Sequence, residues 1–279
     1  MRKWMRTLAT AAAVVCLLLG TLGTVLHERE EVRQRKAHEK LVEEVTQLPE
    51  TEAQREEPKE TMQKEETQAA WNETEAYVPA VNFTALHTEN PDVVAWIQIP
   101  GTQINYPVVQ GTDNEYYLHR DLNGQKSSAG TIFLDYADLP DFSSQHNILY
   151  GHHMKNGSMF KDISRYKDQD YFDRHSALIL YTPEREIHLK ALAAVCTSPD
   201  AIRRKTVFTS GQEFLTYIRQ MTANASASAP VSGTVARLYS FVTCSYEFEN
   251  ARTILYAYEE ADGADPFSQV LQAGGYADE

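Results

Sequence analysis

Cysteine is scarce in this chain, and positive charge is outweighed by negative. Three cysteines among 279 residues allow at most one intrachain bridge, and 26 Lys and Arg against 39 Asp and Glu leave a formal charge of −13. Nowhere does a basic patch form that could hold a phosphate backbone, which argues against nucleic acid as a partner. No internal repeat is present, and the one low-complexity stretch, "ANASASAP" at 223–230, reads as a loop. Apolar heptads are not sustained, which excludes a long coiled coil. Histidines number nine, yet none has the HxxxH or HxH spacing of a metal pair, so no metal is expected.

Only one long uncharged run is also almost wholly apolar and free of proline. Residues 8–26, "LATAAAVVCLLLGTLGTVL", contain no charge, close to the ~20 residues of helix that cross a hydrocarbon core. Arg2, Lys3 and Arg6 precede the run and acidic residues follow it, so the positive-inside bias places residues 1–7 in the cytoplasm and everything after residue 26 outside. No small-x-small cleavage site follows the run, which favours a retained signal anchor over a removed signal peptide. Residues 27–76 hold fifteen Glu against eight Lys and Arg, and their sparse apolar positions read as a solvated stalk whose first part has some helical character. The remaining chain can bury one good core, giving a single folded domain over 77–262 and a tail over 263–279.

Within that domain, short apolar runs alternate with Gly, Pro, Asp, Asn and Ser. A short helix before Pro91 leads into "VVAWIQI" (93–99), and further strands are expected at "INYPVVQ", "TIFLDY", "HNILYG", "ALILYT", "EIHLKALAAVCT", "TVARLYSFVTC" and "RTILYAYEE". Many short strands at modest spacing predict a mainly β barrel or sandwich. Two helical interruptions stand out, "GSMFKDISRYKDQDYF" (157–172) and "GQEFLTYIRQM" (211–221), the second with Phe214, Ile218 and Met221 on one face.

The chemistry concentrates at a strand end. Cys16 lies in the uncharged run, Cys196 reads as a small buried hydrophobe within "LAAVC", and Cys244 closes an apolar strand. If residues 235–243 and 252–258 are antiparallel neighbours, Cys244 and Arg252 meet at their facing ends, about 5 Å apart. A guanidinium there favours the thiolate and offers donors to a developing oxyanion. Two blander alternatives stand beside this: a Cys196–Cys244 disulfide, and an Arg252 paired with Glu247 or Glu249 on a solvated loop. For an acid and base, "LYGHHMKNGSMF" (149–160) presents His152 and His153 where a strand runs out into a glycine-containing loop, a common place for catalytic groups.

Together "ENPDVVAWIQIPGTQINYPVVQG", "NILYGHHMKNGSMFKDI" and "SFVTCSYEFENAR" resemble a sortase of class B over roughly residues 80–260. The resemblance implies a sortase-type eight-stranded β-barrel with an N-terminal helix and an extra helix in the long loop before the strand carrying the cysteine. It implies Cys244 as nucleophile, His152 as general acid and base, Arg252 as oxyanion stabiliser, and Tyr150 and Thr243 lining the substrate groove. His153 stands where the family often has asparagine, and Val242 where the class often has serine. The implied partners are exported proteins with a C-terminal sorting signal of Asn-Pro-x-Thr type and a cell-wall amine, from a peptidoglycan precursor or cross-bridge, or a pilin lysine. A papain-like hydrolase would put its cysteine at a helix N-terminus ahead of the histidine, the reverse of the order here. A non-enzymatic adhesion module would leave His152, Cys244 and Arg252 without a purpose.

Overall fold

The computed structural model describes residues 2–46, 80–198, 204–231, 233–245 and 250–260, with the side chains of residues 2–15 and 27 outside that description. It divides into two units, 1–47 and 48–279. The first is a single helix, α1 (Arg2–Thr46), which carries the uncharged run and continues into the charged residues beyond it. Exposed pairs such as Arg33 with Glu30 at 2.7 Å dress its surface, each worth a few tenths of a kcal/mol. Among the described residues no helix is long and apolar enough to cross a membrane. The first half of the uncharged run lies where side chains are not described, as do the rest of the expected stalk and the tail.

In the second unit, α2 (Phe83–Glu89) is capped by the Asn82 side chain, which accepts from the Ala85 amide at 3.0 Å. Nine strands follow: β1 (Val93–Gln98), β2 (Asn105–Val109), β3 (Ile132–Leu134), β4 (His146–Tyr150), β5 (Ala177–Tyr181), β6 (Glu186–Thr197), β7 (Ala225–Ser228), β8 (Val235–Cys244) and β9 (Arg252–Glu260). Their order is β5-β1-β2-β3-β4-β8-β9-β6-β7, and β5 also pairs with β6. That last pairing closes eight strands into the expected barrel and leaves β7 as a short flank on β6. Pro107 is tolerated in β2 because β3 bonds only to Val108 and Val109, so no ladder donor is missed there.

Alternation along each strand divides the apolar residues into two cores. Ala95, Ile97, Leu149, Tyr239, Phe241, Leu255 and Ala257 fill the barrel. Phe160, Ile163, Tyr166 and Phe172 join them from the first helical interruption, which folds as a 3-10 helix (Lys161–Lys167) followed by α3 (Gln169–Arg174). On the outer face of the barrel, Ile148, Leu238, Val242, Ile254 and Tyr256 pack with Phe214, Tyr217 and Ile218 of α4 (Gly211–Thr222). Ser210 caps α4 by accepting from the Glu213 amide at 3.2 Å.

The stretch 223–230 differs from its reading as a loop. Ala225–Ser228 forms β7, paired with Ala193–Val195 of β6. Its small residues gave no apolar signal, but they fit beside a strand whose other neighbour is β9, and only Ala227 turns inward to 3% exposure.

A buried histidine ties the outer layer to the barrel. His146, 1% exposed at the start of β4, donates from Nδ1 to the Lys205 carbonyl at 2.9 Å, and its Nε2 accepts from the Ser240 hydroxyl at 2.6 Å. Burial pushes its pKa down to about 4, against smaller upward effects of the Lys205 carbonyl and the Asp135 charge. Asp138, on the loop after β3, moves the other way: burial raises it to about 7 although its carboxylate accepts from the Ile148 amide at 2.8 Å.

The signs oppose. Below about 6.5 the unfolded chain gains a proton at His146 that the fold refuses until about pH 4, so stability falls across that window by at most ~3 kcal/mol. Between pH 7 and pH 4 the fold takes up a proton at Asp138 that the unfolded chain does not, so stability rises as pH falls. We predict that Asp138→Asn makes the urea midpoint fall more steeply between pH 7 and pH 4.5 than in the parent, and that His146→Gln flattens it. Equal slopes in all three proteins would contradict this.

Candidate active site

Three neighbouring strands, β4, β8 and β9, end at one place. β8 and β9 are antiparallel, and their register sets Cys244 opposite Arg252 and Thr243 opposite Thr253. β4 and β8 run parallel with Tyr150 beside Val242. The pairing continues one step, since the Gly151 amide donates to the Val242 carbonyl at 3.1 Å, so His152 emerges level with Cys244. With strands ~4.8 Å apart, the thiol-bearing residue has the histidine segment on one side and the arginine on the other.

The faces follow from the same alternation. Tyr239 and Phe241 point into the barrel and Leu238 and Val242 outward, which turns Thr243 in and Cys244 out. On β9, Leu255 faces in and Ile254 out, so Arg252 also faces out. Thr243 is 2% exposed, and its hydroxyl and that of Thr253 have no hydrogen-bond partner. Thr243 as a whole is closed off from solvent, so it does not line an open groove as expected. Tyr150 is half-buried and outward, stacked on Phe133 with ring centroids 5.1 Å apart.

Gly151 is dictated by the core. A Cβ there would meet the Phe160 ring at 2.6 Å, because Phe160, fully buried, plugs the barrel directly beneath. Only glycine lets the chain leave β4 over that ring and deliver the two histidines. His152 donates from Nε2 to the Leu118 carbonyl at 2.8 Å, which leaves Nδ1 as the basic atom of the neutral ring. The His119 ring lies 6.2 Å from it, centroid to centroid.

His153 has a different occupation. Its Nδ1 donates to the Cys244 carbonyl at 3.1 Å, steadying the end of β8. Burial, aided by the charges of Lys161 and Lys167, holds it below the usual imidazole value despite that bond. The sequence held no signal for this role beyond the doubled histidine.

Arg252 donates from Nη1 to the carbonyls of Asn250 and Ala251, each at 3.1 Å. A guanidinium carries five donors, and among the described residues its others are uncommitted. Glu247 and Glu249 lie outside the described residues. Among the described residues Cys244 and His152 share no hydrogen bond, an arrangement that often tightens only around a bound substrate.

The disulfide alternative fails on topology. Cys196 pairs with Thr253 on β9, and Cys244 lies on β8 beyond it. Two strand spacings put their Cα atoms about 10 Å apart, outside the reach of a bridge, and none of the three cysteines is in a disulfide. Cys196 instead touches the Ser245 hydroxyl, 4.0 Å from its sulfur.

An outward thiol at a barrel-strand end, between a histidine segment and an arginine, suits nucleophilic cysteine chemistry. Comparison with known proteins makes it specific. The sortase domain family matches residues 97–260. Sortase B of Listeria monocytogenes is 32% identical over 170 residues, covering 60% of this chain and 69% of that protein. The X-ray structure of Clostridium perfringens sortase B superposes with a TM-score of 0.60 at 29% identity, over 64% of this chain and all of that one. A Staphylococcus aureus sortase B–substrate complex superposes at 0.59 with 26% identity, over 63% and 83%. The chain belongs to the sortase family, on its class B branch. Class B sortases are cysteine transpeptidases of the cell surface that anchor proteins to the cell wall, and this enzyme is one of them.

His153→Ala removes one hydrogen bond to the β8 end. We expect a lower urea midpoint, equivalent to about 1 kcal/mol, with at least half of the turnover retained. A loss of turnover as deep as that of His152→Ala would contradict the supporting role.

Proposed function

We propose that this enzyme cleaves a C-terminal sorting motif of Asn-Pro-x-Thr type in exported proteins through a thioester on Cys244, then joins the new carboxyl end to a cell-wall amine. The observation that carries the reading is the shared register of three strand ends, which puts Cys244 opposite Arg252 and level with His152. Support for a peptide substrate comes from the Staphylococcus aureus relative, whose structure was obtained as a substrate complex.

In the first half-reaction the Cys244 thiolate attacks the threonine carbonyl, and the tetrahedral oxygen takes its negative charge toward the Arg252 guanidinium. Collapse breaks the peptide bond after threonine. His152 protonates the departing amine, and the acyl group stays on sulfur. In the second half an amine attacks the thioester, His152 removes its proton, and the thiolate leaves. One peptide bond has been exchanged for another, with no net redox change and no cofactor required by the balance. The Leu118 carbonyl, by holding Nε2–H of His152, keeps Nδ1 as the nitrogen that exchanges the proton. Tyr150 offers its ring to the peptide.

The accepting amine belongs to a peptidoglycan precursor or cross-bridge, with a pilin lysine as the other source of the same chemistry. Residues 8–26 serve as the signal anchor, residues 27–76 as stalk and 77–262 as the catalytic domain facing the wall. The uncharged run and the charges on either side of it support that placement.

Turnover of a fluorogenic sorting peptide tests the assignment. We expect Cys244→Ala to abolish it, His152→Ala to lower kcat by about 10²–10⁴, and Arg252→Ala by about 10²–10³. Cys196→Ala keeps it. An active Cys244→Ala enzyme would overturn the mechanism.

A further inference from the structure

The insertion between β6 and β8 meets the barrel again at Arg204, and it lands there on a buried carboxylate. Asp135, at the end of β3, accepts from Arg204 Nε and Nη2, both at 2.6 Å. The same group accepts from the Tyr150 hydroxyl at 2.9 Å, from Asn114 Nδ2 at 3.0 Å and from the Ala137 amide at 3.0 Å. Its side chain is 1% exposed, whereas that of Arg204 is 42% exposed. These bonds, the Arg204 fork first among them, hold Asp135 below the usual carboxylate range although burial alone would raise it. The guanidinium also lies over the Tyr136 ring, 5.2 Å from its centroid.

Four stretches of chain thus converge on one group: the loop around Asn114, the end of β3, the end of β4 and the insertion. Beyond Arg204 the contact continues as a seam along the outer face of β4. The Lys205 carbonyl accepts from His146, and the Phe208 amide donates to Gln145 Oε1 at 2.9 Å. Arg204 is the member of that seam that shares a partner with Tyr150, the outward residue two positions before His152. A peptide approaching Cys244 along that face therefore meets a wall whose position depends on the bidentate pair.

Asp135 keeps three other donors if Arg204 is removed, but its buried charge loses its cationic partner, so the pair serves stability as well as geometry. The geometry comes from the fork, since two parallel donors fix both the insertion and the carboxylate that orients the Tyr150 hydroxyl.

We propose that the Arg204–Asp135 pair is a positioning element of the peptide groove, setting affinity for the sorting peptide while taking no part in bond making or breaking. This rests on the assignment of Cys244 and Tyr150 given under Proposed function.

The test uses the full-length enzyme and whichever Asn-Pro-x-Thr fluorogenic peptide it turns over fastest, with alkylation of Cys244 by iodoacetamide as a peptide-independent reading of the thiol. Arg204→Ala should raise KM about tenfold, leave kcat within twofold and leave the alkylation rate unchanged. Arg204→Lys, able to make one contact where arginine makes two, should fall between. An Arg204→Ala enzyme with parental KM, or with kcat lowered at unchanged KM, overturns the inference. Should Arg204→Ala fail to fold, Arg204→Lys decides: a raised KM at unchanged kcat supports the pair's role, and a parental KM overturns it. A parent enzyme that turns over no peptide removes the sorting-peptide reading and this inference together, whereas a turning-over parent beside an unaffected Arg204→Ala removes the inference alone.

Discussion

The pairing of β8 with strands on both sides is the constraint on which the rest of this structure depends. A parallel ladder to β4 and an antiparallel ladder to β9 fix the height of Cys244 relative to two other strand ends at once. Because side chains alternate with a period of two, a slip of one residue would turn Cys244 into the barrel and Thr243 out. The apolar residues on each face forbid that slip: Tyr239 and Phe241 belong to the barrel core, Leu238 and Val242 to the layer under α4. Site geometry is in this sense a by-product of hydrophobic burial on two faces of one strand.

That double burial also explains what the insertion is for in the fold. Phe214, Tyr217 and Ile218 of α4 cover the outer face of the strands that carry the site, and His146 and Asp135 tie the chain leading into α4 to the same strands. Beneath, Phe160 closes the barrel and compels glycine at the position before His152. The strand ends are thus held from inside and from outside, which leaves the site rigid where the register must be kept.

Much of this was legible in the residues. The eight barrel strands follow from apolar runs punctuated by turn formers, and α4 from the spacing of Phe214 and Ile218. The apposition of Cys244 and Arg252 follows from a seven-residue connection between two strands. What escaped reading has a common cause. β7 is built from Ala and Ser, whose burial depends on a neighbour rather than on their own pattern. Thr243 was placed by its adjacency to Cys244, but a strand sends adjacent residues to opposite faces. The junction at Asp135 gathers side chains from positions 114, 135, 150 and 204, a convergence that no local window contains. A carboxylate at the end of the apolar run "TIFLDY" was the only local hint of it.

The central claim is that Cys244 carries an acyl group while His152 and Arg252 serve it. Intact mass spectrometry of the full chain after brief exposure to Asn-Pro-x-Thr peptides tests it most directly. The account predicts a mass increase equal to the N-terminal fragment of the peptide, located on Cys244, absent from thiol-blocked enzyme and discharged by an added amine. An adduct on Cys196, or cleaved peptide from enzyme whose Cys244 is fully blocked, would contradict it.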